Sequence, residues 1–271
     1  MIEGTTEENL SNTQHLLEVH SISQNFRGLT ALHNVSVHVD SGEILAIIGP
    51  NGAGKTTLLN CITRLYTPSE GSIFFNKIDL LSLPPHKIPS LGIARMFQNV
   101  ELFKGMSVID NVLCGRLHLL KYGLFDSFVF FGKAAREEVK HRRRVEEIID
   151  FLEIQHIRKQ MIGSLPFGLQ KRVELARALA MEPRILLLDE PVAGMNLEET
   201  EDMARFILDI NEELGITIVL IDHDMSVVMD ISDRVIVLNF GQKLADGVPA
   251  DIYANHAVME AYLGVTEKNE D

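Results

Sequence analysis

The chain has no tryptophan, four tyrosines and only two cysteines in 271 residues. Cys61 and Cys114 lie in apolar, helix-like stretches and have neither the paired spacing of a metal site nor that of a disulfide framework. The cytoplasm is the expected compartment. Long hydrophobic runs are missing as well: none approaches the roughly 20 residues that span a bilayer, and the apolar patch from Phe125 to Gly132 is far too short. Any membrane association is expected to run through partners. Residues 1–14 are polar and acidic with no apolar core, which argues for a loose tail and against a secretory signal. Positive charge is scarce: 25 Lys and Arg face 38 Asp and Glu, a net charge of −13, which argues against a nucleic-acid surface. The basic run Lys140 to Arg144 is too local to reverse that. It suits the solvated face of a helix, or a position near anionic headgroups or an acidic partner patch. No internal repeat is present.

What is present centres on phosphate. Glu43 to Ile48 reads as a short buried strand, followed by Gly49, Pro50, Asn51, Gly52, Ala53, Gly54, Lys55, Thr56 and Thr57. This is the GxxxxGK[ST] pattern in its required context of strand, loop and helix. Glycines let the backbone curl so that successive N–H groups point at phosphate oxygens, and the helix that follows adds the positive end of its dipole. Lys55 is placed to reach the β- and γ-phosphates, and the Thr56 hydroxyl to hold Mg²⁺.

Far downstream, Ile185 to Leu188 form an apolar run ending in Asp189 and Glu190. Such a run suits a parallel strand buried on both faces, with its carboxyl end at the nucleotide. Ionised carboxylates there are costly unless they meet a cation or a reacting proton. Asp189 is expected to face Mg²⁺, and Glu190 to act as general base on the attacking water. Without the P-loop upstream, the pair would read as a simple cap on the next segment.

The rest of the pattern sketches one domain. Leu16 to Val39 and Ser72 to Phe75 alternate as antiparallel strands do. A strand leads to Gln98, and Ser107 to Met161 reads as mainly helical, with Ser107 at a helix entry. Further helices are expected from Gly168 to Met181, Leu197 to Leu214 and Pro249 to Leu263. Two strands, Ile216 to Ile221 and Arg234 to Leu238, flank the His223 segment.

In the order P-loop, Gln98, SLPFGLQKR, Asp189-Glu190-Pro191 and His223, the chain resembles the ATP-binding subunits of ABC transporters, from about Leu16 to Gly264. The resemblance implies an α/β fold: a P-loop NTPase core with a mostly parallel sheet, an antiparallel β lobe and a helical lobe at about residues 99–175, with tails at 1–15 and 265–271. It implies ATP and Mg²⁺, the ion held by Thr56, Gln98 and Asp189. Phe26 takes the place of the aromatic that stacks on adenine, with core packing as its other reading. Gln98 matches the residue that contacts Mg²⁺ or the attacking water, and His223 the one that contacts the γ-phosphate, with a plain core histidine as the alternative. Leu165, Pro166, Phe167, Gly168 and Gln170 correspond to the signature that reaches a partner's ATP, and Asn196 to the D-loop. Pro166 replaces the usual serine and Asn196 a frequent aspartate.

These departures, a terminal AYLG and the insertion after Gln98 resemble the ATPases of branched-chain amino acid importers. That resemblance implies two ATPase subunits clamped head to tail, as a heterodimer or less readily a homodimer. It also implies two transmembrane permease subunits, an extracytoplasmic solute-binding protein acting indirectly, and a place on the cytoplasmic face of the inner membrane. The insertion and nearby residues are expected to help build the surface that meets the permeases. Other readings are an importer of urea or amides, a lipid or lipopolysaccharide exporter, a soluble ABC ATPase, or a nucleotide-gated binding module.

Overall fold

A computed structural model describes residues 15–119 and 133–263. Of the expected tails, residues 1–14 and 265–271 lie outside these residues, as does the Phe-rich patch from Phe125 to Phe131; His15, placed in the tail, instead opens the first strand.

Two sheets organise the chain. In the first, β1 (His15–Phe26), β2 (Leu29–Asp40), β4 (Glu70–Phe75) and β5 (Ile78–Asp79) pair antiparallel in the order β2-β1-β4-β5. Leu17, Val19 and Ile22 on β1 and Val35, Val37 and Val39 on β2 turn into one core. The second sheet has six strands: β3 (Ile44–Ile48), β6 (Ile93–Met96), β7 (Ile185–Asp189), β8 (Thr217–Ile221), β9 (Arg234–Asn239) and β10 (Gln242–Gly247). Their order is β10-β9-β3-β8-β7-β6, parallel except for the antiparallel edge strand β10. Strands β3, β7 and β8 are buried along their whole length, which is why they read as unbroken apolar runs.

The edge strand β10 was not anticipated. It follows a two-residue turn in which Phe240 (φ 45°) and Gly241 (φ 76°) both have positive φ, the geometry of a tight hairpin. Phenylalanine is a poor signal for such a turn, and the strand is mostly exposed with no apolar alternation.

The helices are α1 (Lys55–Ile62), α2 (Val108–Cys114), α3 (Lys133–Phe151), α4 (Phe167–Leu179), α5 (Leu197–Glu212), α6 (Met225–Ile231), α7 (Pro249–Tyr253) and α8 (His256–Leu263). Ser107 caps α2 by accepting from the Asp110 N–H. The stretch from Ser107 to Met161 is helical at α2 and α3, but short turns carry the chain from Leu152 to Met161, and Ser107 pairs with Met161 as an isolated bridge. The basic run lies on α3, where Arg142, Arg143 and Arg144 pair with Glu138 and Glu147 at the surface. His141 departs from the solvated-face expectation: it is buried, and its Nδ1 accepts from Arg116 Nε at 2.7 Å. Arg116 also donates to the Ala180 carbonyl and to Glu182, pinning α3 to the end of α4.

Candidate active site

Strands β3, β7 and β8 lie side by side, and the loops leaving their carboxyl ends carry the P-loop, Glu190 and His223. This is the crevice where open α/β sheets bind ligands. Backbone geometry fixes the loop's composition. Gly49 has φ 149° and its missing Cβ would collide with the Leu238 carbonyl; at Gly54 (φ 103°) a Cβ would lie 2.7 Å from the Ala31 carbonyl oxygen. Gly54 also caps α1 without a side-chain acceptor, so the first N–H groups of that helix face the cleft free for an anion.

Lys55 is 6 % exposed and folds along the loop, donating from Nζ to the carbonyls of Gly49 (2.7 Å) and Pro50 (3.1 Å). Burial pushes its ammonium pKa down, against the pull of Glu190 and Asp189. A cation held by two neutral carbonyls gains by exchanging them for a phosphate anion.

Opposite the loop, Glu190 is the hub. Its Oε2 accepts from Gln98 Nε2 at 2.8 Å, and His223 Nε2 lies 3.1 Å from its Oε1. Glu190 has the left-handed φ of 54°, rare for a side chain of this kind, and its N–H donates to the Ile221 carbonyl at 2.7 Å. The three side chains border a cleft of 420 Å³ that also meets Phe26 and residues 51–57. Phe26 is 37 % exposed, packs edge-on against Tyr66 at 5.1 Å and borders the cleft.

Asp189, at 1 % exposure, makes an ion pair: Arg95 Nη2 donates to its Oδ2 at 2.6 Å, and its Oδ1 is buried without a hydrogen bond. An orphaned buried carboxylate oxygen one residue before Glu190 fits a cation bound directly or through water. Asp222 is a third carboxylate, not singled out from the sequence. Buried, with its pKa pushed up by burial, it accepts from the N–H groups of Val192, His223 and Asp224 and so shapes the loop that presents His223. Arg95 was likewise overlooked, although a charged residue inside the apolar IARM strand was a signal.

The signature residues stand apart: none of Leu165 to Gln170 borders the P-loop cleft. Pro166 is the N-cap of α4 and supplies no side-chain acceptor. Phe167 packs on Gly194, where an added Cβ would lie 3.2 Å from its ring. A Cβ at Gly168 would displace the Glu199 carboxylate, the far end of a flexible side chain that takes part in the cap of α5. Gln170 donates its amide to the Leu165 carbonyl at 2.8 Å and braces the turn. Asn196 caps α5 in a capping box with Glu199, which gives the amide a structural job within its own chain.

Residues 32–193 match the ABC transporter family, and residues 242–268 match the branched-chain amino acid ATP-binding cassette transporter family. A relative in Pseudomonas aeruginosa, the high-affinity branched-chain amino acid transport ATP-binding protein BraF, is 40 % identical over 253 residues, covering 92 % of this chain and 98 % of its own. The crystal structure of a nucleotide-free ATP-binding cassette from an ABC transporter superposes with a TM-score of 0.80 at 30 % identity, covering 93 % of this chain and all of its own. A dimeric cassette in a post-hydrolysis state bound to ADP and Pi gives a TM-score of 0.74 at 26 % identity, covering 86 % of this chain and 98 % of its own. Matched along almost its whole length by BraF and by that nucleotide-free cassette, the chain belongs to the ATP-binding subunits of ABC transporters, in their branched-chain amino acid group.

Proposed function

We propose that this subunit hydrolyses ATP between two cassettes to drive uptake of branched-chain amino acids through partner permeases at the cytoplasmic face of the inner membrane. The observation that carries the chemistry is the convergence of Gln98 and His223 on the Glu190 carboxylate at the rim of the P-loop cleft. Glu190 takes a proton from the attacking water as its oxygen bonds to the γ-phosphorus, and the bond from that phosphorus to the ADP oxygen breaks. Gln98 and His223 hold both carboxylate oxygens so that the base stays aimed while the proton moves. Lys55 and the free N–H groups of the loop neutralise the phosphates, and Phe26 offers its ring to adenine. Thr56, Gln98 and the free oxygen of Asp189 would hold Mg²⁺, which when bound would supply charge neutralisation at the β- and γ-phosphates.

The signature belongs to the other nucleotide. The start of α4 does not border this chain's own P-loop cleft, and the dimeric relative supports a partner that brings a nucleotide to it. A related second ATPase is the preferred partner, with Asn196 at the shared face. The permeases find a docking site in a second cleft of 640 Å³, mostly apolar and lined by Leu65, Pro89, Phe97, Phe103, Leu117 and Met181. Phe97 precedes Gln98, so pressure in this groove bears directly on the residue that aims the base.

Reconstitution with two permeases and a second ATPase in vesicles tests the reading. ATP-driven accumulation of labelled leucine, isoleucine or valine is the expected result. Transport of urea alone, or outward movement of lipid, would replace it. The second-ATPase assignment is tested by size exclusion of the Glu190→Gln chain with ATP: a tight dimer of this chain alone contradicts an obligatory heterodimer.

A further inference from the structure

Lys171 is fully buried, although nothing in the roles above requires a lysine there. It lies in the first turns of α4, three residues after Gly168 and so on the same face of that helix. Its ammonium donates to two backbone carbonyls, those of Glu190 (2.8 Å) and Gln98 (3.1 Å), and lies 5.8 Å from the Phe167 ring. The lysine thus holds the main chain of the residue assigned as base and of the residue that orients it.

The electrostatics show a group with no easier position. Burial pushes the lysine pKa down, while Glu174, Asp222, Glu190 and Asp189 pull it back up. Glu174, on the next turn of α4, is itself buried, with its pKa raised by that burial and one carboxylate oxygen unpaired. Taking charges out of water is costly, so a buried cation spent on two neutral carbonyls indicates that those carbonyls need to be held. Glu190 is where holding matters. Its φ of 54° is a conformation that persists only when its surroundings enforce it, and Lys171 fixes its carbonyl while Ile221 fixes its N–H.

We propose that Lys171 is a positioning residue that ties the signature helix to the Glu190 and Gln98 backbones, so that seating of α4 on a partner's nucleotide sets the aim of this chain's own base. The inference rests on the proposed roles of Glu190 and of the signature. A shift of α4 moves the ammonium, the ammonium moves both carbonyls, and the carboxylate bracketed by Gln98 and His223 turns with them. Hydrolysis at one site is thereby made to wait on the fit of the other.

The test uses the purified full-length chain. Lys171→Met keeps the volume and removes both donated hydrogen bonds. The expected result is a fall in kcat of roughly tenfold to a hundredfold, the scale of an angstrom-sized misplacement. Affinity for a fluorescent ATP analogue should stay within about twofold, because the P-loop is untouched. Lys171→Arg, which can still reach two carbonyls, should restore kcat to within about threefold. On a Glu190→Gln background, Lys171→Met should cost nothing more, since it acts through that residue. If the methionine variant does not fold by circular dichroism, Lys171→Gln carries the same cycle. Overturning results are a folded variant with kcat within twofold of wild type, an equal loss of kcat and nucleotide affinity, or an undiminished further loss on the Glu190→Gln background. Wild-type turnover by Glu190→Gln alone would instead remove the base assignment, leaving Lys171 to be judged on kcat against affinity.

Discussion

Arg95 and Asp189 provide the sharpest stability experiment. Their side chains are 4 % and 1 % exposed, and one 2.6 Å contact joins them; the guanidinium also donates to Asn60 at 2.6 Å and lies over the Phe97 ring at 4.7 Å. Arg95→Met keeps a long apolar side chain on β6 and removes the charge, leaving the carboxylate buried with neither oxygen engaged by arginine. Breaking a buried pair by removing one partner costs about 3–5 kcal/mol. At ~2–4 °C per kcal/mol for chains of roughly 150–250 residues, Tm should fall by roughly 6–20 °C. Adding Asp189→Asn removes the stranded charge and should recover most of the loss, because an amide is far less costly to bury than an ion. Thermal melts by circular dichroism at pH 7 for the single and double variants read both numbers. A drop below about 2 °C for a natively folded Arg95→Met, or a double variant no better than the single, would refute the claim that a charge pair is buried beneath the site.

Four further outcomes follow from the same geometry. Gly49→Ala should abolish ATP binding or folding, because its Cβ has nowhere to go at φ 149° against Leu238; equilibrium binding of a fluorescent nucleotide measures it. Phe26→Ala should weaken ATP binding by about tenfold and leave kcat nearly unchanged, given the ~1–3 kcal/mol typical of base–aromatic stacking. His141 has a pKa held below its ordinary 6.5 by burial and then by Arg116. The neutral form is therefore favoured in the fold: its stabilisation is complete above about pH 6.5 and is lost as pH falls through the lowered folded value, at no more than ~1.4 kcal/mol per pH unit. His141→Gln should flatten that part of a stability-versus-pH curve. Burial raises both thiols, Cys61 up to about 11, but Cys61 is fully buried and Cys114 only half-buried, so a thiol reagent at pH 8 should modify Cys114 well before Cys61 in the native chain and both cysteines after denaturation.

Much of the fold was legible because its core strands are buried on both faces. Ile44–Ile48, Ile185–Asp189 and Thr217–Ile221 are apolar without interruption, and the glycines of the P-loop are demanded by local sterics that a sequence pattern records directly. The hairpin into β10 escaped because its turn rests on an unexpected positive φ at Phe240. Within the site, Lys55, Glu190, Gln98 and His223 are named by motif order, yet their supports are not. Arg95 beneath Asp189, Asp222 against the Val192 N–H and Lys171 behind Glu190 each join residues distant in the chain. Only the packing of β6, β7, β8 and α4 brings them together. Asn196 shows the reverse case: the D-loop assignment follows from chain order, while its capping box with Glu199 is a local need that accounts for the amide by itself.

The central claim is that Glu190 is the base, and single-turnover hydrolysis by the Glu190→Gln chain with Mg²⁺ and ATP tests it most directly. The glutamine keeps the shape and a partner for Gln98 or His223 but cannot take the proton. Nucleotide affinity should stay within about twofold of wild type while the hydrolysis rate falls by roughly 10²–10⁴-fold. Hydrolysis within twofold of wild type, with binding intact, would contradict it.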